Sequence, residues 1–227
     1  MGNKPTESKF LRAIKAAFPR GYNYLLHQNS SQEINDYIDN EIYKPLLVGH
    51  KKTLWGEFSK QLPRIGRTIG WVPENIPLIF FNQTVLAEIA DSAAIARGHF
   101  QSTEDDFQIA YELLDKFEML HFASRNPFFL SEGETKIVWL ITQWAKQPEY
   151  LVIGNLKASL SKRRYEQILQ YLNDSDSISK DLGFKGPTFI LGVQDAEIEE
   201  YQKLLTDRVW RFSDATIFKQ NDQQALK

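Results

Sequence analysis

The chain contains no cysteine, and this absence excludes disulfide bonds, thiolate metal sites and cysteine nucleophiles. Its 4 histidines are scattered without the spacing of metal ligands, so we expect no metal site. There is no basic excess, because 27 Lys and Arg residues face 29 Asp and Glu residues for a net charge of −2, and we therefore expect no nucleic-acid partner. No apolar run approaches the roughly 18 residues of a membrane-spanning helix, which predicts no direct membrane insertion.

What the chain does contain is a series of short apolar runs that alternate with segments of helical spacing. Of its 227 residues 42% are apolar, enough for one large domain or two small ones. The runs that predict buried strands lie at 22–27, 68–72, 150–154, 188–193 and 208–212. Helical spacing covers 84–96, 103–122, 131 to about 146, 161–172 and 196–205, whereas the Ser- and Asp-rich segment 173–183 predicts a loop. This alternation predicts an α/β fold with a mainly parallel sheet flanked by helices.

Several motifs, taken in order, resemble those of the nucleotide-binding domain of ABC transporters. The segment TIGWVPENIPLIFFNQTVLAEI at 68–89 is similar to the family's Q-loop and the stretch after it, particularly in exporter-type members. LSEGE at 130–134 resembles the LSGGQ signature. Family spacing then puts the end of the Walker B strand 24 positions after Leu130, at Gly154. The resemblance spans roughly residues 19–212.

The resemblance implies a P-loop-NTPase-like fold with a division into three parts. Residues 1–20 would form a polar segment and a short helix, and residues 21–75 with 145–227 a RecA-like α/β core. Residues 76–144 would form an inserted helical lobe that ends in the signature helix. The family also has an N-terminal antiparallel subdomain. Because only about 20 residues precede the first core strand, we expect either that this subdomain is reduced or absent or that the sequence is a fragment of a larger chain.

The loop after the first strand departs from the family's Walker A motif. A phosphate-binding loop needs glycines for close backbone approach, a lysine for the phosphate charge and a Ser or Thr for magnesium. The aligned stretch HQNSSQEIND at 27–36 has neither glycine nor lysine, and Asn29, Ser30 and Ser31 occupy the centre of the loop. Ser30 and Glu33 have the spacing of a capping box, which would satisfy the helix N-terminus without a phosphate. We expect this loop to bind no nucleotide of its own.

The remaining ATP-handling positions of the family are also changed. Gly154 and Asn155 stand where Walker B supplies the magnesium-binding aspartate and the catalytic glutamate. Gln194 replaces the H-loop histidine, and Glu74 replaces the Q-loop glutamine. Losing one preorganised electrostatic group lowers a rate on the order of 10² to 10³. We therefore expect no catalytic residue in this chain, and ATP hydrolysis only in complex with an active ABC partner.

The signature segment allows two interpretations. Ser131 is a good N-cap, Glu134 completes a capping box, and Gly133 leaves backbone N–H groups accessible at a helix N-terminus. This is a sufficient structural role. In the family the same element acts in trans, so Ser131, Gly133 and Glu134 could instead contact ATP and magnesium bound by a partner subunit. Glu132, which replaces a signature glycine, adds bulk and negative charge against that second interpretation.

An aromatic cluster lies where the resemblance places the groove that receives a transporter's coupling helices. Its members are Phe80, Phe81, Phe128 and Phe129. Core packing explains about half of such side chains, and a partner-binding patch explains the others. We expect a structural or regulatory subunit that docks on a membrane permease or on another ABC ATPase subunit, with a dimer favoured. The alternative is a half-site subunit whose signature completes a partner's ATP site. Either would be cytoplasmic, free or peripheral on the inner face of a membrane.

Overall fold

A computed structural model shows a single parallel sheet with helices packed against it. It describes residues 14–16, 18–28, 30, 32–33, 36, 38, 40, 68–76, 80–204 and 209–212. The strands are β1 Asn23–Gln28, β2 Ile69–Val72, β3 Tyr150–Ile153, β4 Thr188–Gln194 and β5 Val209–Phe212. Among these residues α-helices span α1 Val85–Arg97, α2 Glu104–Lys116, α3 Glu132–Ala145, α4 Lys162–Asn173, α5 Ser175–Asp181 and α6 Ile198–Leu204. Short 3-10 turns occupy Leu120–Phe122, Pro127–Phe129 and Asp195–Glu197.

The strand order in the sheet is β2-β3-β4-β1-β5. Each neighbouring pair is parallel, so the predicted α/β fold with a mainly parallel sheet is confirmed. The five predicted strands are all present, with ends that differ by a residue or so from the apolar runs. In this register Gln28 at the end of β1 lies opposite Gln194 at the end of β4.

Both faces of the sheet are buried because successive strand residues point into different cores. One core contains Leu25, Leu151, Ile153, Phe189 and Leu191 together with side chains of α1 to α6. The other contains Tyr24, Leu26, Tyr150, Val152 and Ile190 with Ile14, Phe18 and Ile38. Strands buried on both sides lack polar alternation, which is why they could be recognised as continuous apolar runs.

The helix predicted over 103–122 is shorter than expected. Helix α2 ends at Lys116, and a 3-10 turn at Leu120–Phe122 replaces its last part. Glu118 adopts a left-handed backbone conformation with φ of 54°. The Met119 N–H then donates to the Leu114 carbonyl at 2.7 Å, which closes the helix end. The apolar pattern in the sequence extends to Phe122 although the helix has ended, because the side chain of Phe122 still packs into the core.

The loop predicted over 173–183 is wrong, since α5 occupies Ser175–Asp181. Serine and aspartate have low helix propensity, and this composition favoured a loop. Tertiary contacts override that preference. Ile178 is buried in the core, and the Ser179 hydroxyl accepts a hydrogen bond from Trp144 Nε1 at 3.1 Å.

Candidate functional site

The sheet order places a topological switch point between the carboxyl ends of β1 and β4. The chain that leaves β1 packs Ile38 into one core, whereas the chain that leaves β4 packs Ile198 and Tyr201 into the other. These two neighbouring strands therefore connect to opposite faces of the sheet. In open α/β sheets ligands bind at such a switch point, outside the carboxyl ends of the strands. We call this region, with the adjacent end of β3, the switch-point crevice.

At the β1 side of the crevice the predicted capping contact is partly visible. Ser30 Oγ accepts a hydrogen bond from the Glu33 backbone N–H at 3.3 Å. Farther along, Gln32 Nε2 donates to Asp36 Oδ1 at 3.1 Å. Asn29 and Ser31, the other two predicted Walker A positions, lie outside the described residues. Glu33, three residues after Ser30, lies in the first turn of this helical segment, where an acidic residue favours the helix N-terminus in the absence of an anion.

At the end of β3 the two predicted Walker B positions serve the backbone. The Gly154 N–H donates to the Val72 carbonyl at 2.8 Å and extends the pairing with β2. Asn155 is buried, and its Oδ1 accepts hydrogen bonds from the N–H groups of Lys157 at 3.1 Å and Ala158 at 3.3 Å. An uncharged oxygen that already holds a turn does not match the carboxylate donors that magnesium prefers.

The predicted H-loop and Q-loop positions lie at the ends of two other strands. Gln194 ends β4, and its backbone N–H donates to Glu197 Oε2 at 3.4 Å. Glu74 follows β2 and is half-buried; its negative charge acts on the ammonium of Lys136. Residues 74, 155 and 194 therefore all lie at the carboxyl ends of their strands, which in a parallel sheet are at the same end of the sheet.

A charged network beside the crevice was not expected from the sequence. Lys157 Nζ lies 2.6 Å from Glu200 Oε2 and 3.6 Å from Glu197 Oε1. The hydrogen bond to Glu200 raises the pKa of Lys157 above its ordinary value. The ammonium also lies 5.7 Å from the ring centroid of Tyr165. Lys157 and Glu200 are 43 residues apart in the chain, so only the sheet order could have identified the pair.

The first turn of α3 contains the predicted capping box, which is confirmed in both directions. Ser131 Oγ accepts from the Glu134 N–H at 3.4 Å, and Glu134 Oε2 accepts from the Ser131 N–H at 2.8 Å. Partial burial would raise the pKa of Glu134, but hydrogen bonds from Ser131 to its carboxylate, together with the charge of Arg125, lower that pKa. A lowered carboxyl pKa means that this contribution to stability is present at neutral pH and lost in acid.

Glu132 and Gly133 contact the segment that follows β3. A Glu132 carboxylate oxygen accepts a hydrogen bond from the Ser159 hydroxyl. The carboxylate is thereby held on its own subunit's surface. Gly133 approaches the same residue so closely that an added Cβ would lie 2.6 Å from the Ser159 carbonyl oxygen. A glycine is required here for space.

The predicted aromatic groove divides into a buried member and three accessible ones. Phe80 is buried, with its ring centroid 5.9 Å from that of Phe128 and 5.8 Å from that of Trp139. Phe81 and Phe129 are 86% and 82% exposed, and Phe128 is about half exposed. We call Phe81, Phe128 and Phe129 the aromatic patch.

A buried carboxylate fixes the backbone of this patch. Glu88 Oε2 accepts hydrogen bonds from the N–H groups of Phe81 and Asn82, both at 2.9 Å. The Asn82 amide nitrogen reaches the same oxygen at 3.2 Å and Asp91 Oδ2 at 2.8 Å. Phe81 is therefore held outward by the start of α1 rather than by its own packing. Glu88 lies seven residues after Phe81 and was not singled out from the sequence.

No helix in the described part of the chain is both long and apolar enough to cross a bilayer. Among the same residues no cluster of three or more His, Asp or Glu side chains is arranged to hold a metal ion.

Comparison with known proteins points to ATP-binding cassettes, although no protein-family model matches the chain. A protein of Methanocaldococcus jannaschii with the name of an ABC transporter ATP-binding protein is 25% identical over 153 residues, covering 67% of this chain and 50% of that protein. The energy-coupling factor transporter ATP-binding protein EcfA1 of Mesomycoplasma hyopneumoniae is 24% identical over 219 residues, covering 95% of this chain and 75% of that protein. The chain spans about half the length of several curated relatives that it matches.

Solved structures support the same fold. CbiO1 of Clostridium perfringens, part of the ABC transporter complex cbiONQ, superposes with a TM-score of 0.55 at 17% identity, covering 86% of this chain and 74% of that chain. The dimeric bacterial ABC transporter cassette MJ0796 gives a TM-score of 0.54 at 18% identity, covering 86% and 83%. The chain has the α/β fold of ATP-binding cassette domains, and its sequence is similar to ATP-binding proteins of ABC transporters.

Proposed function

We propose that this chain is a catalytically inactive homologue of ABC nucleotide-binding domains that serves as a structural or regulatory subunit of a membrane transporter or ATPase complex. The observation that carries the proposal is the role of Asn155. It stands where the family has its catalytic glutamate, it is buried and uncharged, and its oxygen is occupied by the N–H groups of Lys157 and Ala158. A neutral amide whose oxygen is already hydrogen-bonded cannot take a proton from water as a glutamate carboxylate does.

The surroundings of the crevice support the same conclusion. Lys157, a cation that could attract phosphate, is paired with Glu197 and Glu200. Those acids follow Gln194, which is neutral and replaces the family's histidine. Lys157 is therefore already paired within the chain, and a phosphate that bound this lysine would have to displace existing ion pairs.

The aromatic patch supports docking on another protein. Phe81, Phe128 and Phe129 expose apolar rings, Phe128 packs on the buried Phe80, and Glu88 holds the backbone of Phe81 in place. Exposed apolar clusters on a soluble surface mark interaction sites. In the proposed complex this patch receives the coupling helices of a membrane permease.

The proposal predicts that ATP with magnesium does not stabilise the chain. A ligand at about 100 times its Kd adds about 2.7 kcal/mol to the free energy of unfolding. For a domain of this size that gain raises Tm by roughly 5–11 °C. We therefore expect a Tm within about 1 °C of the nucleotide-free value at millimolar ATP and magnesium. A cassette with intact Walker motifs, measured in parallel, provides the positive control. A rise of several degrees in this chain would contradict the proposal.

A second candidate function is supported by the contact between Glu132 and Ser159. That contact holds the added carboxylate on its own subunit, which removes part of the electrostatic objection to a phosphate near the signature. The chain would then be a half-site subunit in an asymmetric ATPase, and Ser131, Gly133 and Glu134 would contact ATP and magnesium bound by its partner.

The half-site function predicts that Ser131→Arg abolishes ATP hydrolysis in a mixed complex. The partner is a cassette with intact Walker motifs that co-purifies with this chain. A bulky cation at the N-cap blocks the first turn of α3, and we expect a loss on the order of 10² to 10³ in rate. Thr84→Arg removes a comparable N-cap from α1, where Thr84 Oγ1 accepts from the Ala87 N–H at 3.2 Å, and should leave the rate unchanged. Normal hydrolysis after Ser131→Arg would exclude the half-site function.

A further inference from the structure

Lys136, in the second turn of α3, is a lysine without access to solvent. Lys136 is only 1% exposed, although lysine is almost never fully buried unless its ammonium is paired with another group. Desolvation lowers the pKa of Lys136, and the negative charges of Glu74 and Glu132 oppose this effect. Taking an ammonium group out of water costs several kcal/mol unless hydrogen bonds compensate. Its retention in the fold therefore calls for specific partners.

Those partners belong to the segment that leaves β3. Lys136 Nζ donates to the carbonyl oxygen of Asn155 at 3.2 Å and to that of Ala158 at 2.7 Å. The two carbonyls lie at the two ends of one turn. The ammonium therefore spans the turn and joins it to α3.

The same turn is held from its other side by Asn155. Oδ1 of that residue accepts from the N–H groups of Lys157 and Ala158, while Lys136 takes the carbonyl oxygens. The turn delivers Ser159 in a left-handed conformation with φ of 70°. A non-glycine residue in this region is strained and persists only when its surroundings fix it. Lys136 and Asn155 are the side chains that hold the turn leading to it.

The position of Ser159 determines the surface next to the signature. Its hydroxyl donates to Glu132, and its carbonyl oxygen packs against Gly133. The segment 155–159 and the first turn of α3 therefore fit together as one unit. Releasing the turn would free both the Glu132 carboxylate and the backbone around Gly133.

We propose that Lys136 is a positioning residue, whose buried ammonium fixes residues 155–159 on the first turn of α3 and so preorganises the surface that this chain presents to a second cassette. The identity of that partner rests on the proposed function. The role of Lys136 itself rests on contacts within the chain.

Amide hydrogen exchange of the isolated chain tests the proposal. In Lys136→Met we expect the amides of Lys157 and Ala158 to exchange about 10- to 100-fold faster, because a charged hydrogen-bond donor that held the turn is gone. Lys146→Met is the matched control. Lys146 is the C-cap of α3 and therefore lies at the opposite end of the helix from the turn 155–158. Burial lowers its pKa, as it does for Lys136, but its ammonium lies 6.0 Å from the ring centroid of Trp139. Unchanged exchange at these amides in Lys136→Met, or equal acceleration in Lys146→Met, would overturn the proposal.

A measurement on the unmodified chain covers the case in which Lys136→Met does not fold. The ammonium protons of Lys136 should exchange slowly enough to be observed by lysine-selective NMR, whereas those of Lys162, which is 79% exposed, should not. Equally fast exchange of both ammonium groups would refute the assignment. Neither experiment uses a partner or a nucleotide. Failure to find a partner cassette would therefore count against the proposed function and leave the result for Lys136 intact.

Discussion

Replacing Trp144 by alanine is expected to lower the free energy of unfolding by about 3–5 kcal/mol. Trp144 is fully buried near the end of α3. Its ring packs edge-on against Phe117 at 5.3 Å and Phe189 at 5.4 Å, and its Nε1 donates to Ser179. One side chain thus joins α3 to the end of α2, to β4 and to α5. The substitution leaves a large cavity and a buried serine without its donor.

Chemical denaturation with intact two-state behaviour would measure this loss, and thermal melting should show a fall in Tm of roughly 6–20 °C. Tyr111→Ala provides the control, since that ring on α2 is 44% exposed and its removal should change stability little. A loss below about 1 kcal/mol for Trp144→Ala would contradict the packing described for this helix.

Asp106→Ala is expected to lower the free energy of unfolding by about 2–4 kcal/mol, because several hydrogen bonds to a buried carboxylate disappear together. Asp106 Oδ2 accepts from the Thr103 N–H at 2.8 Å and from its hydroxyl at 2.7 Å, which caps α2. His99 Nδ1 lies 3.1 Å from the same oxygen, and Arg97 donates to Oδ1 at 3.2 Å. The residue therefore fixes the end of α1 to the start of α2.

The neighbouring residue supplies the control for this substitution. Asp105 also binds Arg97, at 3.0 Å, but its side chain is 75% exposed while that of Asp106 is fully buried. Exposed ion pairs contribute about 0–1 kcal/mol, so Asp105→Ala should change the free energy of unfolding very little. Equal losses for the two variants would show that burial does not decide the effect.

The pH dependence gives an independent test of Asp106. Burial would raise its pKa, but hydrogen bonds from Thr103, together with His99 and Arg97, lower the pKa below the ordinary value of 3.8. The stability that Asp106 contributes is thus fully present above pH 3.8 and is lost as the pH falls through the folded pKa. We expect the difference in unfolding free energy between the wild type and Asp106→Asn to be largest near neutrality and to shrink in acid. A difference that grows as the pH falls would contradict the assignment.

Trp144 and Asp106 lie among the packed helices and not at the switch-point crevice. Trp144 and Asp106 keep α1, α2 and α3 in a fixed arrangement, and that arrangement places both the first turn of α3 and the aromatic patch. In the function that we propose, the chain contributes surfaces instead of chemistry. The packing of α1, α2 and α3 is then what maintains its interaction sites.

Local features were predictable from the sequence. Ser131 and Glu134 are three residues apart, so their capping box depends only on the geometry of one helical turn. The strands were predictable because burial on both faces leaves an uninterrupted apolar run. The match of Gly154 to the end of a Walker B strand came instead from the resemblance to a family, through its spacing from Leu130.

Features that depend on distant partners were missed. Lys136 reaches carbonyl oxygens 19 and 22 residues away, and Lys157 reaches a carboxylate 43 residues away. A signal for Lys136 was nevertheless available. It lies four residues before Leu140, on the apolar side of the predicted helix, where a lysine requires a buried partner. Helix α5 gave no comparable signal, because its buried Ser179 is satisfied only by Trp144 from another helix.

The sequence by itself determined the alternation of strands and helices, the capped start of α3 and the absence of acidic side chains at the end of β3. Each of these depends on residues that are close in the chain or on a change of residue type at one position. The tertiary structure alone decided what Asn155, Lys157 and Lys136 contact. It turned Asn155 inward to hold a backbone turn, paired Lys157 with the acids after β4, and buried Lys136 between α3 and the turn after β3. The physical reason is that hydrogen bonds and ion pairs are set by distance in space, which the sheet order fixes and sequence separation does not.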